Sequence, residues 1–140
     1  MPPSGVTTFN IADDTFIVCD AAVLGRCIVE PARTALWWPG LTHVVTRNRG
    51  RQGVQWHVTG QWSGRMWTGT MEIWLEAVLD GVVLHHYVRL DPVGEGLTEK
   101  RLRELTTTYA MEWKQRVFAL KDELEAGRVV GVGGGPTSIS

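Results

Sequence analysis

Residues 98–127, TEKRLRELTTTYAMEWKQRVFALKDELEAG, decide the architecture. Leu102, Leu105, Tyr109, Trp113, Val117, Leu120 and Leu124 recur at three- and four-residue steps, the apolar stripe of one long amphipathic helix. Thr98 is placed to cap its N-terminus, Glu99 lies in the positive first turn, and Gly127 suits a left-handed C-terminal cap. At 1.5 Å per residue such a helix extends about 43 Å, more than the roughly 30 Å of a nine-residue strand. It can cross an entire sheet, and its single apolar face needs one.

The chain before it supplies strands. Thr15-Phe16-Ile17-Val18-Cys19 follows the Asp13-Asp14 turn signal and reads as the first strand. Ala21 to Trp38 is helical but broken, with Gly25 in the first piece and Pro31 opening the second, which predicts two short helices. Trp37-Trp38-Pro39-Gly40 turns the corner, and from Leu41 the period becomes two. Thr42–Arg47 is a short strand, Asn48–Gly53 a polar turn, and Val54, Trp56 and Val58 alternate with Gln55, His57 and Thr59. Ser63-Gly64 breaks the run. Trp67, Met71, Ile73 and Leu75 then share one face, with Trp74 the exception on the polar side. Asp80-Gly81 predicts a type I′ hairpin turn, and Val82, Leu84, His86, Val88 and Leu90 line the dry face of a fifth strand.

A chain of 140 residues accommodates one domain, expected over residues 13–127, with a flexible leader at 1–12 and a glycine-rich flexible tail at 128–140. The net charge of −1 removes the basic footprint of a nucleic-acid binder. No apolar run approaches the ~20 residues of a membrane-spanning helix. Two cysteines without a CxxC spacing, and no secretory leader in the N-terminal residues, predict a reduced, cytoplasmic protein.

Seven tryptophans stand against two tyrosines, and six of them fall between Trp37 and Trp74. They either fill a core or line a cavity for a flat or greasy guest. Gly131-Val132-Gly133-Gly134-Gly135 has the glycines of a nucleotide loop but follows a helix instead of preceding one. Metal binding is not expected, since there is no HExxH, and His85 and His86 point to opposite faces of a strand. No cofactor is implied. Ser63 lacks the glycine of a nucleophile elbow. His86 on a dry face must find a hydrogen-bond partner, either a core neighbour or a guest molecule.

Strand, two short helices, antiparallel meander and long C-terminal helix form an α+β order that resembles the helix-grip fold of the START-like (SRPBCC, Bet v 1-like) superfamily. It is nearest to the polyketide cyclase/dehydrase and lipid-transport branch. The residues carrying the resemblance are Trp37-Trp38-Pro39-Gly40-Leu41, Met71-Glu72-Ile73-Trp74-Leu75-Glu76, Asp80-Gly81-Val82-Val83, and Tyr109 to Leu124. It implies a curved sheet gripping the helix around an apolar cavity. The family sheet usually has seven strands and only five are counted here, so this is a short variant. A shorter sheet leaves an opening or an exposed edge, so the cavity is expected to be small, closed by the tail, or completed by a second chain in a homodimer.

The leading expectation is therefore binding or transport of a hydrophobic, lipid-like or aromatic molecule between sheet and helix. Its lining would be Trp38, Trp56, Trp67, Met71, Leu84, His86, Tyr109 and Trp113. The alternatives are a cyclase or dehydratase with His86 as acid/base and Tyr109 as an oxyanion or proton-relay partner, or an interaction module with a packed core whose exposed Trp74 and unfinished sheet edge form a homodimer or partner interface. No catalytic motif transfers residue by residue, and fold alone assigns no reaction.

Overall fold

The structure is a computed structural model that describes residues 8–130, with side chains to residue 126. Strand β1 (Phe9–Ile17) is followed by α1 (Ala21–Ile28), α2 (Pro31–Trp37) and β2 (Leu41–Asn48). A 3₁₀ turn (Gly50–Gln52) leads into β3 (Gly53–Trp62), β4 (Arg65–Val78) and β5 (Gly81–Pro92), and α3 (Glu99–Val130) ends the described chain. All strand pairings are antiparallel, in the order β1-β5-β4-β3-β2. The five strands curve around one long helix: the periodicity predicts the helix and the strands, and the resemblance implies the curve.

Local chemistry explains the boundaries. Asp20 accepts the Ala22 N–H at 3.0 Å and caps α1, and Pro31 opens α2, where its missing N–H is no loss. Thr98 caps α3 as expected, its Oγ1 accepting the Arg101 N–H at 3.0 Å. The stripe residues Leu105, Tyr109, Trp113, Val117 and Leu120 are all buried, with Leu102 and Leu124 half-buried at either end. The helix runs to Val130, so residues 128–130 belong to it and not to a tail; residues 131–140, including the glycine cluster, lie outside the described part.

Two further expectations are corrected. The first strand begins at Phe9, not Thr15, so residues 9–12 of the predicted leader are sheet. Asp13 looked like a turn signal, yet it sits on the helix side of the strand. There its Oδ2 accepts the Trp113 indole N–H at 3.0 Å and pairs with Lys114 at 2.9 Å, partners about a hundred residues away. The β4–β5 turn is made by Leu79-Asp80, one residue earlier than predicted, because Val78 pairs directly with Gly81. Gly81 is needed for space and not for the turn: a Cβ there would lie 2.5 Å from the Ile17 carbonyl oxygen. The turn with positive φ at both centres is Ser63-Gly64, at 52° and 76°.

Leu79 carries the cost of this shift. It is 98 % exposed with φ of 55°, a left-handed conformation that disfavours a branched apolar side chain. Leu79→Asn is expected to stabilise the fold by about 0.5–1 kcal/mol, read as a higher denaturation midpoint with unchanged slope. An unchanged or lower midpoint would remove strain from this turn's description.

Candidate functional site

The helix-facing side of the sheet and the apolar face of α3 meet in one cluster, and all eight predicted lining residues are in it. Trp56 comes from β3, Trp67 and Met71 from β4, Leu84 and His86 from β5, Tyr109 and Trp113 from α3, and Trp38 from the corner after α2. Each is at most 3 % exposed. They are brought together, but against one another. The Trp38 indole lies parallel to that of Trp113 with centroids 6.0 Å apart, Trp37 meets Trp113 edge-on at 5.2 Å, and His86 packs on Trp113 at 4.1 Å. Trp56 stands edge-on to Trp38 at 5.5 Å, and Phe9 joins Trp67 and Tyr109.

The polar atoms in this cluster satisfy each other, and the pattern assigns their protons. His86 Nδ1 faces the Glu72 carbonyl oxygen at 3.2 Å; a carbonyl only accepts, so Nδ1 carries the hydrogen. Burial pushes His86 down to about 4 against the opposing pull of that carbonyl, so near neutral pH the ring is uncharged and Nε2 is an acceptor. The Tyr109 hydroxyl at 2.8 Å donates to Nε2, and its oxygen accepts the Trp38 indole N–H at 2.9 Å. Burial raises the Tyr109 pKa, so the phenol keeps its proton. His86 has no nitrogen left for a substrate, and the Tyr109 proton is already placed. The acid/base pair suggested by the sequence is a closed core network.

His43, on β2, borders the cluster. It stacks on Trp38 at 4.5 Å, its Nε2 lies 3.2 Å from Met71 Sδ, and Nδ1 is buried without a hydrogen-bond partner. Burial pushes it down to about 4.

Open space lies elsewhere. A cleft of about 550 Å³ opens where the β4–β5 hairpin faces the start of α1 and the 3₁₀ turn. Leu75, Ala77 and Val82 give it apolar walls; Cys19, Asp20 and Ala21 close the α1 side, Leu79, Asp80 and Gly81 the hairpin side, with Arg51 and Gln52 on the rim. None of the eight predicted residues lines it. The sequence carried one usable signal for this place, the continuation of the inward-facing alternation from Leu75 to Ala77 towards the hairpin turn.

The outer face holds the other predicted exception. Trp74 points away from the helix and stacks on His85 at 4.7 Å. His85 bridges Asp14 of β1 (Nδ1 to Oδ1, 2.6 Å) and Glu76 of β4 (Nε2 to Oε1, 3.0 Å). Partial burial works against protonation, but the hydrogen bonds to Glu76 and Asp14 outweigh it and raise the His85 pKa.

Fold and site define an α+β helix-grip domain with a filled centre. Among solved structures, a START superfamily protein from Mycobacterium smegmatis matches at TM-score 0.50 and 10 % identity, over 84 % of this chain and 97 % of that one. The Aha1 dimer of Colwellia psychrerythraea matches at 0.55 and 17 %, over 90 % and 98 %. A protein of Chromobacterium violaceum matches at 0.56 and 11 %, over 84 % and 97 %. The particular grip is thus the START-like, Bet v 1-like one. No protein-family model and no curated protein matches the chain. Among the described residues, no helix is long and apolar enough to cross a membrane.

Proposed function

We propose that the chain binds a small amphipathic molecule, with an apolar body and an anionic head, in the cleft between the β4–β5 hairpin and α1. The observation that carries this reading is the pairing of a filled centre with a neighbouring cleft of about 550 Å³, the size range of small-molecule sites. The hydrophobic guest expected from the fold resemblance is retained, but its seat moves away from α3, where indoles occupy the space. Leu75, Ala77 and Val82 would cover the apolar body at about 25 cal/mol per Å² buried. Arg51, exposed and without an ion pair among the described residues, would hold a carboxylate or sulfonate head.

The test uses 8-anilinonaphthalene-1-sulfonate and decanoate as probes, with fluorescence and calorimetry as readouts. Both are expected to bind the wild type. Ala77→Trp, which fills the cleft, should abolish binding, and Arg51→Gln should weaken it about tenfold, the loss expected for one charge-assisted hydrogen bond. Binding undiminished by a folded Ala77→Trp protein, or no binding at millimolar probe, overturns the proposal.

A further inference from the structure

Arg51 stands between two hollows. On one side it rims the cleft of about 550 Å³; on the other, with Arg26, Asn48 and Gly50, it lines a smaller hollow of about 200 Å³ against α1. The glycines that precede the two arginines bring them to the same place. Gly25 of α1 lies so close to the 3₁₀ turn that a Cβ there would come 2.4 Å from the Gly50 carbonyl oxygen and 3.3 Å from the Arg51 Cα. The turn itself is pinned: Asn48 Oδ1 accepts the Gly50 N–H at 2.9 Å, and Arg49 pairs with Glu72 of β4 at 2.7 Å. Arg26 and Arg51 are both exposed, and neither enters an ion pair among the described residues. No carboxylate lines the smaller hollow, whereas Asp20 and Asp80 line the cleft. Two guanidinium groups facing one hollow repel each other unless an anion lies between them.

We infer that the guest of the cleft is a phosphate monoester on an apolar body, its head held between Arg51 and Arg26 in the smaller hollow. The assignment rests on the cleft reading above and sharpens it, because the head group moves past Arg51, away from Asp20 and Asp80. A phosphate monoester carries about −1.5 to −2 charges at pH 7 and three strong acceptor oxygens, enough to engage both guanidinium forks. A carboxylate brings one charge and matches one fork. Asn48 adds a neutral donor: with its Oδ1 on the Gly50 N–H, its amide N–H groups are left to donate. The apolar body lies against Leu75, Ala77 and Val82, and Arg51, bordering both spaces, joins body to head.

Calorimetry near neutral pH with submicellar decyl phosphate, decanoate and inorganic phosphate tests this. Decyl phosphate is expected to bind the wild type about tenfold more tightly than decanoate. Arg26→Gln, an exposed substitution that should leave the circular dichroism spectrum unchanged, removes that advantage while decanoate affinity stays within about twofold. Inorganic phosphate should bind weakly to the wild type and to Ala77→Trp alike, and not to Arg26→Gln. Phosphorus resonance gives a second readout: the second pKa of bound decyl phosphate should fall in the wild type and not in Arg26→Gln, since two cations favour the dianion. Equal affinity for the two decyl compounds, or an Arg26→Gln protein that discriminates as the wild type does, overturns the inference and leaves the cleft reading standing. Inorganic phosphate bound as tightly as decyl phosphate assigns the hollow to the free ion and overturns it too. Failure of the cleft reading looks different, as decanoate binding untouched by Ala77→Trp, and it takes the joined guest with it.

Discussion

Trp113→Ala is expected to cost about 3–5 kcal/mol, the range for deleting a large aromatic from a core that cannot collapse into the space. Trp113 is 1 % exposed and touches Trp37, Trp38 and His86, and its indole N–H is taken by Asp13. Truncation therefore removes packing and leaves a carboxylate on the helix side of β1 short of a donor. The hole should accept the missing group: millimolar indole is expected to raise the melting temperature of the variant and not of the wild type, by mass action on the native state. This comparison separates a filled centre from a ligand chamber. If indole stabilised the wild type equally, or the substitution cost less than about 1 kcal/mol, the space beneath α3 would be available to guests after all.

The second large effect is acid sensitivity. Burial holds His86 and His43 each at about 4 in the folded chain, whereas an unfolded histidine titrates near 6.5. Between those values the unfolded state takes up protons that the native state refuses. The stability gained from keeping the rings neutral is therefore complete above pH 6.5 and lost as pH falls towards 4. For the fully buried His86 alone, the shift corresponds to on the order of 3 kcal/mol. Denaturation midpoints should fall steeply from pH 6.5 to 4.5, and His86→Gln, less stable overall, should give a shallower dependence. Imidazole signals of His86 should remain those of the neutral Nδ1–H form at pH 5. A ring protonated at pH 6 would refute the core network. His85 acts in the opposite sense: its raised pKa contributes stability below 6.5 that disappears as pH rises through the folded value. That contribution is small, because Asp14 and Glu76 are largely exposed and screened by solvent.

Much of the architecture was legible because it rests on periodicity. The stripe from Leu102 to Leu124, the alternation around Trp56 and Met71, the opposed directions of His85 and His86, and the caps at Thr98 and Pro31 are properties of neighbouring residues. What was not legible depends on distant partners. Asp13 disguised the first half of β1, since only Trp113 and Lys114 explain an acid on that side. Gly81 looked like a turn residue because its neighbour in space, the Ile17 carbonyl, lies in another strand. The eight lining candidates do meet in one buried cluster, but whether indoles leave a gap or close it depends on how their volumes fit in three dimensions. Composition does not contain that information.

The lysines that α3 lays along β1 also limit where a further strand can add to this sheet. A sheet with both rims bare can add subunits without end, the geometry of a fibril. Here the second half of the β1 rim is engaged from within the same chain, where Lys114 and Lys121 take the Asp14 and Phe16 carbonyls, so a further strand cannot pair with those carbonyls while the lysines hold them. The terminal helix thus withholds part of one rim from strand addition.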